Sequence, residues 1–506
     1  MVMMESMNRK DRHTPENADI IIIGGGVIGC AVARQLSRYE LDIILLEAAD
    51  DVASGASKAN SGIVHGGYTA KAGTLKGELS IRGNRMFDQL EEELAFGFKR
   101  TGSLVLAFEE SDLQTLAGLL ENGRTNGVRG LDILTAEETL SRHPALNPDI
   151  LGALYCPETG IVSPYEFTIA LAENAVRNGV ELHLDSPVGS IRKEGSHFHV
   201  GCGDRTFRAP LVINAAGTAA ADVAALAGAA DFSIRPRKGQ YLLFRRGSGE
   251  LLDLVVFQPP TEKGKGILVT PTVWGNLLVG PDAREVADPE DLATDPASLA
   301  AVLKTAGRSV PSLDSSKVIR IFSGIRPVGD RGDFIIEESR EGGFFNLGGI
   351  ESPGLTSSPA IALKMEALLK EKGISLQRKE SWDPRRRPIC RPGPLGSPRE
   401  AAENARREYG DPERIVCRCE QVREKTIRDA LGRDIPIRSL DGVKRRTRAG
   451  MGACQGQFCG PRVKEYLLKE KGLDEKDLIG HSRDRQEMKR ILDEMRELMK
   501  AESGVE

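Results

Sequence analysis

The stretch from Asp19 to Glu47 constrains the fold of this chain more than any other. Ile20 to Ile23 is followed by Gly24-Gly25-Gly26-Val27-Ile28-Gly29, then Cys30-Ala-Val-Ala-Arg-Gln-Leu36, and then a largely apolar segment from Leu41 that closes on Glu47 and Ala48. This reads as a buried strand, a glycine turn, a helix and a second buried strand ending in a carboxylate, the start of a dinucleotide-binding βαβ unit. Gly24 permits the tight turn, Gly26 lets backbone approach a pyrophosphate, and Gly29 lets the helix pack closely on the sheet. The helix N-terminus at Val27 and Ile28 presents N–H groups and a positive dipole end to phosphates. Glu47 is placed to accept hydrogen bonds from a ribose, with Ala48 beside it.

A length of 506 residues implies more than one domain. A net charge of −4 and a pI near 6.1 argue against a nucleic-acid partner. No apolar run approaches the roughly 18 residues that span a bilayer. The basic start and the apolar segment ending in Ala33 mimic a secretory signal, but the glycine turn accounts for the same residues. Residues 1–17 are expected to be a disordered polar tail.

After Glu47 the chain runs through small residues, including Asn60-Ser61-Gly62, to His65-Gly66-Gly67. Such a loop at the carboxyl end of a strand allows a flat ring to lie on backbone. His65 is either a hydrogen-bonded loop histidine or, as favoured here, a general base, because an imidazole near pKa 6.5 suits proton abstraction at neutral pH. Leu211 to Gly217 is a later buried strand ending in Ala216 and Gly217. A return to the nucleotide fold after so long a gap favours FAD over NAD. Val188, opening a small antiparallel insertion, joins the candidate cofactor contacts. So do Gly324 and the turn carrying Gly349, Gly354, Leu355 and Thr356, which precedes a helix expected over 360–370. Arg326 is a candidate fork for a substrate anion, with a surface ion pair as the alternative. Lys265, in the glycine-rich turn from Lys263 to Gly266, either contacts an anion or is solvated.

The expected architecture is α/β. A Rossmann-like FAD-binding domain (18–85, 150–230, 321–375) is interleaved with a β-rich substrate domain (86–149, 231–320). A proline- and arginine-rich extended linker (376–412), a small α-helical iron–sulfur domain (413–465) and a helical tail (466–506) follow. Residues 75–98 read as one amphipathic helix. The final helix, about Asp484 to Lys500, carries a stripe of Met488, Ile491, Leu492, Met495, Leu498 and Met499. The stripe either docks on its own chain, the preferred reading, or binds a partner.

Four of the eight cysteines cluster near the end: Cys417, Cys419, Cys454 and Cys459. A C-x-C pair with a C-x₄-C pair fits zinc poorly and favours a [2Fe–2S] cluster, with zinc and disulfides as the alternatives. Gly450, Gly452 and Gly456 leave N–H groups for sulfur. The basic run Lys444, Arg445, Arg446 and Arg448 is either solvated, a counter-charge to the cluster, or a partner-docking patch.

These motifs resemble FAD-dependent glycerol-3-phosphate oxidases and dehydrogenases over residues 18–375. The resemblance rests on Asn60 to Gly67, Lys263 to Thr270, Leu278 to Pro281, Ile325 to Pro327 and Gly348 to Thr356. The L-2-hydroxyglutarate oxidases share much of this pattern. Residues 413–465 resemble the bacterioferritin-associated-ferredoxin type of [2Fe–2S] domain, also found in anaerobic glycerol-3-phosphate dehydrogenase. The resemblance implies a D-amino-acid-oxidase-like fold with noncovalent FAD, and oxidation of glycerol 3-phosphate to dihydroxyacetone phosphate. In it, His65 is the base at the C2 hydroxyl, hydride goes to flavin N5, Arg326 and Lys265 hold the substrate, and Ser352 lines the pocket. The family's oxidases often carry lysine where Glu351 stands and lack the iron–sulfur module. Oxidation of an L-2-hydroxy acid, or an electron-relay subunit with no alcohol of its own, are the rival functions. The implied acceptor is a partner subunit or a quinone, and the implied location is the cytoplasm, or the inner face of a membrane through partners.

Overall fold

The computed structural model describes residues 15–260, 266–392, 395–478 and 485–503. Its centre is a six-stranded sheet in the order Glu181–His183, Ile43–Leu46, Ile20–Ile23, Leu211–Asn214, Phe344–Gly348, Ile335–Glu338. All neighbours are parallel except the last pair. The inner strands are apolar at nearly every position because both faces are covered. Ile20 and Ile22 pack toward the helices Val27–Leu36, Pro164–Arg177 and Gly354–Glu371, whereas Ile21 and Ile23 pack toward a small antiparallel sheet of Ser190–Glu194, His197–Cys202 and Arg205–Ala209.

A nine-stranded sheet forms the second unit. Its order is Arg284–Glu285, Ile234–Phe244, Leu277–Gly280, Leu268–Pro271, Val255–Phe257, Ser103–Ala107, Gly152–Cys156, Asp132–Thr135, with Val318–Gly329 pairing antiparallel along Ile234–Phe244. The sequence-based partition needs correcting here. Gly152–Cys156 and Val318–Gly329 belong to this roof, because their hydrogen-bonded neighbours are roof strands. Phe87 and Phe96 belong to the flavin unit, because their rings pack on Phe167 of Pro164–Arg177.

Other expectations change as well. Glu16-Asn17 is not tail: it pairs with Phe207-Arg208 as an edge strand, while residues 1–14 lie outside the described residues. The single helix over 75–98 is two, Leu75–Asn84 and Phe87–Leu94. The helix expected from residue 360 starts at Gly354 and contains Pro359. Ser358 Oγ donates to the Leu355 carbonyl at 2.9 Å, filling the acceptor that the missing Pro359 N–H leaves open. The linker is a strap rather than a free spacer. Asn174 Nδ2 donates to the Asp383 and Arg385 carbonyls, Arg38 stacks 4.2 Å over Trp382, and Pro398–Asn404 is helical.

The final helix, Arg485–Ser503, docks on its own chain. Ile491, Leu492 and Met495 enter the roof core beside Leu299, Val302 and Leu303, while Leu498 stays exposed. Among the described residues no helix is long and apolar enough to cross a membrane.

Candidate active site and cluster domain

The glycine turn opens onto a cavity of about 930 Å³ that runs between the two units. At one end lie Gly24, Gly26, Val27, Ile28 and Glu47. Along it lie Gly55 to Ser57, Ala59 to Ser61 and Ala215 to Thr218. His65, Arg326, Ser352, Gly354 and Leu355 line it as well. An elongated cleft with a bare turn at one end and a carboxylate beside it suits a dinucleotide. Gly24 has φ +110°, and a Cβ there would meet the Ala215 carbonyl at 2.5 Å. The Gly25 and Ala49 N–H groups donate to the Glu47 carboxylate at 2.7 and 2.9 Å. Burial raises its pKa, partly offset by these donors. Ser57 Oγ accepts the Val27 N–H at 2.8 Å, adding a hydroxyl at the helix N-terminus that sequence reading missed.

Several expected cofactor residues support the cavity instead of lining it. Gly29 packs on the turn: a Cβ there would lie 1.9 Å from the Gly24 carbonyl oxygen. Gly62 and Gly324 allow close backbone approach to Val162 and Ala59, and Gly349 to Gly329. Ala48 is outside the lining, and Val188 packs toward the small-sheet core. Thr356 does not line the cavity; its Oγ1 accepts the His65 N–H at 2.9 Å. Lys265 lies outside the described residues.

His65 is anchored after all, by its backbone. Besides the Thr356 bond, its carbonyl accepts from Asn84 Nδ2 at 2.9 Å, and its ring stacks 6.2 Å from Phe257. Ser352 Oγ is 3.2 Å from His65 Nε2. Arg326 reaches the cavity and donates to the Asp282 carbonyl at 2.6 Å. Gly239, on the paired strand opposite Gly324, lacks the Cβ that would strike Arg326 Nη2 at 2.3 Å. The structure therefore joins His65 to Ser352 and sets Arg326 on the lining of the same cavity. It adds Lys76, Arg237, Tyr241, Phe257 and Asp282, which no local motif announced.

The cluster domain holds the helices Glu424–Leu431, Leu440–Thr447 and Gly460–Lys471. Cys417 lies in hydrogen-bonding reach of Cys459, and Cys419 of Cys454. None of the four cysteines is in a disulfide. They lie as two pairs: among the described residues the one group of three or more His, Cys, Asp or Glu side chains with ligand atoms all within 4.8 Å of one another is Glu16, Glu181 and His183. Two cysteine pairs fit two irons, each with two thiolates. The Cys459 hydrogen bond, against the effect of burial and aided by the Gly450 and Glu420 N–H groups, lowers the Cys417 thiol pKa. Gly452 must be glycine, since a Cβ there would meet Cys419 Cβ at 2.2 Å.

The basic run is not solvated. Arg445 and Arg446 are buried against Asp51, and Arg448 against Glu420 at 2.9 Å and Asn276 at 3.0 Å. Arg433 and Arg386 meet the buried Glu173 at 3.2 and 2.6 Å. The pairs to Asp51 and Glu173 fix the cluster domain and its strap against the flavin unit, while Arg448 braces the cluster domain internally on Glu420 and reaches the roof at Asn276. Gln455, next to Cys454, accepts from Arg320 on Val318–Gly329, the strand that carries Arg326 into the cavity.

Fold and site together define an FAD-binding oxidoreductase with an appended iron–sulfur domain. The family model for FAD dependent oxidoreductases matches residues 19–368, and that for the BFD-like [2Fe-2S] binding domain matches residues 415–469. The glycerol 3-phosphate dehydrogenase of Caloramator mitchellensis is 46% identical over 90% of this chain and 95% of its own. The glycerol 3-phosphate oxidase of Mycoplasma pneumoniae is 35% identical over 73% of this chain and 98% of its own. A solved structure of the dithionite-reduced L-alpha-glycerophosphate oxidase of Mycoplasma pneumoniae with FAD bound superposes with a TM-score of 0.71 at 33% identity, covering 74% of this chain and all of that one. The chain belongs to the FAD-dependent oxidoreductase family, in its glycerol 3-phosphate dehydrogenase and oxidase branch.

Proposed function

We propose that this chain oxidises sn-glycerol 3-phosphate to dihydroxyacetone phosphate and passes the electrons through its cluster to an electron-accepting partner. The observation that carries the reading is the His65–Ser352 contact of 3.2 Å in the same cavity as Arg326. Gly24, Gly26, Val27, Ile28, Glu47, Asn60, Ser61, Ala216, Gly217, Gly354 and Leu355 would hold FAD, and the four clustered cysteines the [2Fe–2S] centre. Bound FAD supplies a two-electron hydride acceptor, and the cluster supplies one-electron carriage.

His65 Nε2 takes the hydroxyl proton as the carbinol carbon loses its hydride. Ser352 Oγ orients the imidazole and the hydroxyl. The Arg326 guanidinium receives the phosphate, the role its planar fork performs best. Lys265 joins it by sequence resemblance. The chain works in the cytoplasm, its electron acceptor is a further subunit or a quinone, and any membrane contact comes through partners.

The test is anaerobic. Glycerol 3-phosphate should bleach the flavin, and a reduced-cluster EPR signal should follow. Bleaching by an L-2-hydroxy acid with none by glycerol 3-phosphate would reassign the substrate. Bleaching by neither would leave only the relay reading.

A further inference from the structure

Lys76 and Glu351 meet on the lining of the cavity. Lys76 Nζ lies 3.0 Å from Glu351 Oε1, with side chains only 17% and 19% exposed, and both residues line the cavity. The ammonium also donates to the Gly332 carbonyl at 3.1 Å and sits 5.7 Å from the centre of the Phe334 ring. Its position is set by backbone capping. Lys76 is in the first turn of Leu75–Asn84, where the Asp333 carboxylate accepts the Leu75 and Lys76 N–H groups at 2.7 and 3.0 Å and Thr74 caps the helix. Glu351 directly precedes Ser352, the contact of His65.

A bare carboxylate at this point would repel an anionic substrate, and in a partly dehydrated cleft that repulsion is large. The other cations of the cavity are differently placed. Arg237 is bonded to Glu285 and Arg284 to Asp295, and Lys71 is exposed to solvent, whereas Arg326 has no carboxylate in ion-pairing range among the described residues. On the reading that the substrate is an anionic alcohol, we propose that Lys76 and Glu351 form a charge-matched pair that sets selectivity for its anionic group. In the resting site Lys76 neutralises Glu351. With substrate bound, the ammonium donates to the anion as a second cation beside Arg326. Glu351 holds Lys76 at the correct place and, by competing for it, limits how tightly the anion binds.

The two residues then act with opposite signs, which a merely structural ion pair does not require. The FAD-loaded full chain is titrated anaerobically with inorganic phosphate, read by the shift in the flavin visible spectrum, and assayed for flavin bleaching by glycerol 3-phosphate. Lys76→Met, which keeps the apolar stem, should raise the phosphate Kd and the glycerol 3-phosphate KM by about tenfold or more while leaving kcat within about threefold. Glu351→Gln should lower both constants. The double variant should fall closer to the parent than Lys76→Met does. Phosphate affinity that follows this pattern while no alcohol bleaches the flavin supports the pair and removes the proposed reaction. Bleaching by glycerol 3-phosphate with both single variants unchanged, or shifted in the same direction, overturns the pair and keeps the reaction. Should Lys76→Met fail to load FAD, Glu351→Gln decides alone: an unchanged or raised phosphate Kd refutes the proposal.

Discussion

Asp51 and Arg446, 395 residues apart, share two hydrogen bonds of 2.6 and 2.9 Å inside the contact between the flavin unit and the cluster domain. Arg445 adds a third bond to Asp51 at 2.7 Å and reaches the Val52 carbonyl, while the Ala53 N–H donates to the Gly25 carbonyl at 2.9 Å. The helix beside the cysteines is thereby linked to the glycine turn. Removing one partner of a buried ion pair strands the other charge. Asp51→Ala should therefore lower stability by about 3–5 kcal/mol and slow cluster reduction more than flavin bleaching. Calorimetry and stopped-flow absorbance measure the two effects separately.

The same interface sets a pH limit. Burial alone would raise the Asp441 carboxyl, but Lys444 and Arg445 hold it down to about 2. Asp51 is likewise lowered, with Arg446 outweighing its burial. A carboxylate depressed in the folded state stabilises it fully above the unfolded pKa of about 3.9, and that stability is lost as pH falls through the folded value. The Asp441 contribution should thus disappear between about pH 4 and pH 2. Asp441→Asn should flatten the calorimetric stability profile across that window, and an unchanged slope would count against the ion pairs.

What the sequence made legible was local. The glycine turn, its two strands, the cysteine spacing and the loop histidine each declare themselves within a few dozen residues. Lys76 did not, because a lysine on an amphipathic helix reads as a solvated face, and Glu351 is brought to it only by the packing of Leu75–Asn84 on Gly354–Glu371. The strand Val318–Gly329 was hidden by Gly324 and Pro327, which break strand patterns locally. In the fold Pro327 sits opposite Pro236, and Gly324 is required by close approach to Ala59. Arg445 and Arg446 read as surface charge because Asp51 lies in a distant segment.

The cysteine pairs predict separable losses. Cys454→Ser should remove the cluster's visible and EPR signatures while leaving FAD content and the first bleaching step intact, because Cys454 and its neighbour Gln455 do not line the cavity, and Gln455 bonds Arg320 on the strand that carries Arg326. Electron delivery to an artificial one-electron acceptor should fall. Loss of bleaching as well would mean that the cluster domain shapes the flavin site directly.

His65→Gln keeps a hydrogen-bonding side chain next to Ser352 and removes the base. The rate of flavin bleaching should drop by about 10²–10⁴-fold with FAD content unchanged, and the pH dependence contributed by the imidazole should vanish. Ser352→Ala leaves the base in place, so its loss should be smaller. A His65→Gln enzyme with parental rates would remove His65 from the chemistry.

Gly324 tests whether support without direct lining governs cofactor binding. It touches no part of the cavity surface, yet an added Cβ would lie 2.0 Å from the Ala59 carbonyl oxygen and 2.9 Å from Ala59 Cβ. Ala59, Asn60 and Ser61 all line the cavity, so the contact can be relieved only by moving the cofactor loop or the strand that carries Arg326. Gly324→Ala should purify with markedly less FAD and weakened reconstitution. At Gly307, in the helix Pro296–Ser309, an added Cβ would meet nothing within 4 Å. Gly307→Ala should therefore retain FAD and gain about 0.5–1 kcal/mol from helix propensity. Equal FAD content in the two variants would show that the close approach at Gly324 is dispensable, and that the loop holds its shape without it.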